Sequence, residues 1–246
     1  MSVIQWSLRT APRIAWFLSW QAVLRAFDRH RGRAREIELA RFVFENAIAG
    51  DPASVLETMD RFSRTRRFLM SMGPDKGAFL SEMLDAHRPV NVLEIGTYCG
   101  YSAVLIGSRI AQWGGKVTTL EVSRRNHAVA RDIIAHAGLV DRISTINAPL
   151  SKALPEIRKP FDFVLLDHWK DEYLPDLKRL ESAELLDVGA VVVADNVGFF
   201  KVPDYLHHVR NSGQYQSRSV TSTVEYQPKL PDAIEVSIFE RPDRMR

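Results

Sequence analysis

From residue 90 onward the chain alternates short apolar, β-branched runs with longer segments whose apolar positions recur at helical spacing. The runs are VNVLEIG, KVTTLEV, ISTIN, FDFVLLD and AVVVADN. Near-continuous apolar runs suit strands covered on both faces, and the segments between them are long enough for crossover helices. Two further runs, SRSVTSTVEYQ and AIEVSIFER, are joined by PKLPD, which leaves no room for a helix and predicts an antiparallel hairpin at one edge with its turn at PKLPD. Residues 36–84 read as helices, with Asp51 capping one that starts at Pro52. The expected fold is α/β: a doubly wound, mostly parallel seven-stranded sheet with an antiparallel edge hairpin. With no repeat, low-complexity tract or Gly/Ser linker, the sheet and its helical leader read as a single domain over 36–246, preceded by an arm over 1–35.

The arm has a pattern of its own. In residues 14–27, IAWFLSWQAVLRAF, the side chains of Trp16, Trp20, Val23, Leu24 and Phe27 fall on one helical face. Gln21 and Arg25 interrupt the run, and it is short of the roughly 20 residues a spanning helix needs. Arginines flank it on both sides, so peripheral membrane contact, a dimer contact and packing on the protein itself all remain open. No small-residue cleavage site follows, which argues against a secretory signal.

Composition changes this picture little. A net charge of +3 with basic residues unevenly placed does not argue for nucleic acid. The single Cys99 excludes an intramolecular disulfide framework and a multi-cysteine metal site, and fits a reducing, cytoplasmic setting.

The strand ends carry the chemistry. Glu94, Glu121, Asp167 and Asp195 end four of the five central runs and Asn147 the other. In a doubly wound sheet such positions converge on the carboxyl edge, where ligands bind. LEIGTYCGYSAV reads as a strand, a turn with Gly96 and Gly100, and a helix start. Tyr98 stands where a second glycine would admit a pyrophosphate, which disfavours NAD and leaves the helix start, with Ser102, better suited to a carboxylate. Glu121 falls where an acid takes ribose hydroxyls. Asp167, Asp195 and Asn196 offer three hard oxygens, too few for a closed cage and suited to an open Mg²⁺ site.

The segments GDPASVLETMD, LEIGTYCGYSAV, LLDHWKDEYLPD, VVVADNV and VEY occur in the order and spacing of the catechol O-methyltransferase family, which the chain resembles over residues 38–239. The resemblance implies a class I (Rossmann-like) methyltransferase that moves a methyl group from S-adenosylmethionine to one hydroxyl of a catechol chelated to Mg²⁺. It implies Asp167, Asp195 and Asn196 as metal ligands, Lys170 as general base and Glu225 as the acid holding the second hydroxyl. Met70, Met72, Glu94, Gly96, Tyr98, Ser102, Glu121, Ser151, Asp167, His168 and Trp169 fall at cofactor positions. Phe68 stands where the mammalian enzymes have a substrate-wall tryptophan and Phe200 where they have a proline, while Leu150 and Ser151 replace a Ser-Gln pair at the adenine. Outside that context Lys170 would read as an exposed helix residue, and the competing function is a non-catalytic protein of the same fold acting as a membrane or partner adaptor. The intact metal and base residues speak against the adaptor.

Overall fold

Asp51 does at the first helix start what its position before Pro52 predicts: its Oδ1 accepts from the backbone N–H of Ala53 at 2.9 Å and of Ser54 at 3.2 Å, opening α2 (Pro52–Thr65). In the computed structural model of the chain the described residues are Ser19 and 34–240, so the proposed arm contacts over 14–27 lie outside them. Helix α1 (Arg35–Asn46) precedes α2, and α3 (Gly73–His87) follows. The described residues then alternate as expected: β1 (Asn91–Ile95), α4 (Tyr101–Ile110), β2 (Lys116–Leu120), α5 (Arg124–His136), β3 (Ile143–Ile146), α6 (Leu150–Ala153), β4 (Phe161–Leu166), α7 (Tyr173–Ser182), β5 (Leu186–Ala194) and α8 (Pro203–Asn211). The chain ends in β6 (Tyr215–Val224) and β7 (Gln227–Phe239).

The seven strands pair in the order β3-β2-β1-β4-β5-β7-β6, parallel from β3 to β5 and antiparallel across β7 and β6. Alternate residues serve opposite faces. Phe163, Leu165, Val191 and Val193 join the core beneath α1 to α5, while Val164, Leu166, Val192 and Ala194 join the core beneath α7 and α8. Successive strands run outward from β1 through β2 to β3 and, in the other direction, from β4 to β5, so the switch in strand order lies between β1 and β4.

The hairpin differs from expectation. Its turn is Glu225–Tyr226, and PKLPD lies inside β7. Two circumstances let prolines sit in a strand there. The register breaks between Thr223↔Pro231 and Val224↔Gln227, and β5 pairs with β7 only at residues 235–238. Pro228 and Pro231 therefore remove no ladder donor that β5 needs.

Candidate active site

At the switch point the backbone is held by glycine. Gly96, at φ 104°, lies so close to β4 that a Cβ there would fall 2.3 Å from the Asp167 carbonyl oxygen. Its N–H and that of Thr97 donate to the Leu120 carbonyl, which pins the turn across β2. Tyr98 takes a left-handed conformation next, donating its N–H to Glu121 Oε2 at 2.8 Å and its hydroxyl to Glu36 Oε1 at 3.1 Å. Glu121 also accepts from the N–H of Ser123 at 2.8 Å, so both its oxygens are oriented by backbone. Glu94 is fully buried; the Thr119 hydroxyl donates to it, the Ser102 hydroxyl lies beside it, and burial, outweighing both, pushes it up to about 7. Met72 is buried ahead of α3 and Met70 is half-buried before it.

After β4 the chain delivers DHWKD. Lys170 Nζ lies 3.4 Å from Asp167 Oδ1 and 3.3 Å from Asn196 Oδ1, and donates to the Tyr173 hydroxyl at 2.6 Å. Tyr173 is fully buried and donates in turn to the carbonyl of Leu166 or Asp195, so the lysine rests on a fixed oxygen. Burial raises the Asp167 carboxyl above the usual range, with Lys170 pulling against it and Asp195 adding to it. His168 Nε2 sits 3.0 Å from Asp176 Oδ2, and its ring lies 5.0 Å from that of Tyr173. Trp169 is 74% exposed, and Ser151 is exposed at the start of α6.

Asp195 and Asn196 follow β5. Asn196 is left-handed, a conformation asparagine tolerates, and its N–H donates to Asp195 Oδ1 at 2.7 Å. Its amide nitrogen donates to Glu225 Oε1 at 3.0 Å and Asp232 Oδ2 at 2.8 Å, which turns its Oδ1 to the side where Lys170 lies. Asp195 Oδ2 and Glu225 Oε2 are buried without a hydrogen-bond partner. Burial lifts Glu225 to about 7 against the pull of a second lysine, Lys76. Lys76 forms ion pairs of 2.7 Å with Asp195, 2.6 Å with Glu225 and 2.8 Å with Asp232. Phe68 and Phe200 pack on a small apolar cluster with Phe199, and the Phe200 ring lies 5.7 Å from Lys170 Nζ.

These groups gather at the carboxyl edge of the sheet. Residues 47–210 match the O-methyltransferase family model. The chain belongs to the O-methyltransferase family. Catechol O-methyltransferase B of Danio rerio is 40% identical over 229 residues, 90% of this chain and 86% of the relative. Catechol O-methyltransferase of Mus musculus is 36% identical over 86% of this chain and 81% of its own. Among solved structures, an O-methyltransferase from Bacillus cereus in complex with SAH superposes with a TM-score of 0.65 over 77% of this chain and 90% of that one, at 21% identity. No helix among the described residues is long and apolar enough to cross a membrane.

Two residues of this O-methyltransferase's edge escape the strand-end pattern, Lys76 and Asp232. Lys76 sits on α3 among the buried positions Gly73, Gly77, Leu80 and Leu84. A lysine inside that apolar stripe was its signal, since a lone buried ammonium requires partners. Asp232 follows Pro231, in a segment that composition reads as a turn.

Proposed function

We propose that this enzyme transfers the methyl group of S-adenosylmethionine to one hydroxyl of a catechol held at a Mg²⁺ site. The observation that carries the reading is Lys170 Nζ within 3.4 Å of Asp167 Oδ1 and 3.3 Å of Asn196 Oδ1, at a sheet edge that also holds the buried carboxylates of Asp195 and Glu225. The donor set suits a hard cation: Asp167, Asp195 through its unpartnered Oδ2, and Asn196 through an Oδ1 fixed by the two acids that bind its amide nitrogen. Mg²⁺ bound by these residues would hold two vicinal oxygens and lower the pKa of a phenolic hydroxyl.

The chain's own groups do the remaining work. Lys170, as the neutral amine and steadied by the Tyr173 hydroxyl, takes the proton of the attacking hydroxyl and becomes the ammonium, and Glu225, with a free and buried Oε2, accepts a hydrogen bond from the second. Phe68 and Phe200 form an apolar wall against a flat ring. On the cofactor side Glu121 takes the ribose, and Glu94 and Ser102 the amino-acid end. Met70, Met72, Gly96, Tyr98, Ser151, His168 and Trp169 enclose the rest, with the exposed Trp169 as a lip. The names of the curated relatives agree with this chemistry.

The test is methyl transfer from S-adenosylmethionine to a catechol and to the matching monophenol, with Mg²⁺ and with chelator. Transfer to the catechol alone, lost in chelator, is expected. Turnover unchanged by chelator would sink the metal, and equal rates on the monophenol would sink chelation by the substrate.

A further inference from the structure

The Lys76 ammonium lies at the centre of three carboxylates. It reaches Asp195 Oδ1, Glu225 Oε1 and Asp232 Oδ2 at 2.6–2.8 Å, and all four side chains are at most 3% exposed. An ammonium has three N–H donors, and each has an acid here, so none is left for substrate or solvent. Lys76 is thus no rival to Lys170 as a base. The acids' ligand oxygens lie within 4.8 Å of one another, a spacing that can hold a metal ion. A second observation makes this more than an acidic cluster: Asp195 Oδ2 and Glu225 Oε2, the other oxygens of two of these carboxylates, are buried and unpartnered. Asn196 shares Glu225 Oε1 and Asp232 Oδ2 with the ammonium. Burying four charged groups costs heavily, and apolar packing would stabilise the fold at least as well, so the quartet is better explained by what it arranges.

We propose that Lys76 is a positioning residue that stands where a second metal ion would otherwise bind, limiting this edge to one divalent cation. It takes one oxygen each from Asp195 and Glu225 and leaves the other oxygen of each for the metal and the substrate. This rests on the metal reading of Asp167, Asp195 and Asn196.

The experiment counts metal. Full-length protein and Lys76→Met are purified and dialysed against Mn²⁺, and bound manganese per folded chain is measured by elemental analysis, with melting curves recorded with and without Mn²⁺. One equivalent in the wild type and two in Lys76→Met is the expected result, with the variant gaining more thermal stability from Mn²⁺ than the wild type does. A variant that folds only when Mn²⁺ is present, binding two, supports the proposal as well. One equivalent in both proteins overturns the role of Lys76 and keeps the metal reading. None in the wild type and one in the variant sinks that metal reading and overturns the proposal with it, because the edge then holds no first ion to be limited to. A variant that folds in neither condition overturns the proposal, because an ion then fails to replace the ammonium.

Discussion

Glu94→Gln separates the electrostatic cost of the cofactor side from its packing. Glu94 is fully buried and its pKa is raised from 4.5 to about 7, by burial first, with the hydrogen bonds of Ser102 and Thr119 opposing. A carboxyl whose folded pKa lies above its unfolded value favours folding most below the unfolded value, and that contribution is lost as pH rises through the folded one. The window is therefore about pH 4.5 to 7. Between pH 5 and pH 8 the loss comes to about 2 to 3 kcal/mol for this group alone, from 1.36 kcal/mol per pKa unit and the partial ionisation of the unfolded chain at pH 5. Glutamine keeps the shape and does not titrate, so the variant should gain about that much relative to wild type over the interval. Urea unfolding of both ligand-free proteins at pH 5 and pH 8 gives the double difference, in which every shared titration cancels. A stability gap between the proteins that stays constant across the two pH values would refute the buried, neutral carboxyl. Cofactor affinity should fall in the variant at either pH.

Lys170→Ala should lower turnover on a catechol by a factor of about 10² to 10⁴ while leaving S-adenosylmethionine affinity near wild type, as measured by steady-state kinetics beside calorimetry; an equal fall in both would make the lysine structural. Gly96→Ala should cost about 2 kcal/mol or more in urea unfolding, because φ is 104° and the added methyl meets the Asp167 carbonyl, and a smaller cost would mean the turn yields freely. Deleting residues 1–33 should leave methyl transfer intact, since every candidate site residue lies beyond them. Vesicle co-sedimentation lost with an unchanged melting point would assign the arm to lipid, a lower melting point without vesicle binding would assign it to packing, and lost transfer would refute its independence from the site.

The parallel sheet was legible because β4 and β5 carry the apolar runs FVLL and AVVVA while β1 and β2 are short and rich in β-branched or aliphatic residues, and the acids at their ends stand out against them. Asp51 was legible for a similar reason, since its role is local. Lys76, Asp232 and the hairpin turn were not. Lys76 is read from one helix but explained only by acids that the fold brings from β5 and the hairpin, 119 to 156 residues away. Asp232 and the turn were hidden by prolines, whose strand-breaking force depends on whether a neighbouring strand needs an N–H donor at their position. That neighbour is a property of the sheet and not of the segment. Phe68 and Phe200 were read from the family resemblance as wall positions, and only the fold brings them to the same cluster.

The divided pairing of β7 gives its two halves different opening energies. Residues 235–238 lie between β5 and β6, while 231–234 pair with β6 and meet the segment after β5 through the bond from the Val197 N–H to the Ala233 carbonyl. The outer half, with the Glu225 turn, can separate from the parallel sheet by losing few backbone bonds, and in doing so it carries Glu225 and Asp232 away from Lys76 and Asn196. Amide exchange should divide at this point of the strand, with fast exchange toward the turn and slow exchange toward Phe239. On that expectation Glu225 and Asp232 open as one unit, separately from the sheet that carries the Gly96 turn.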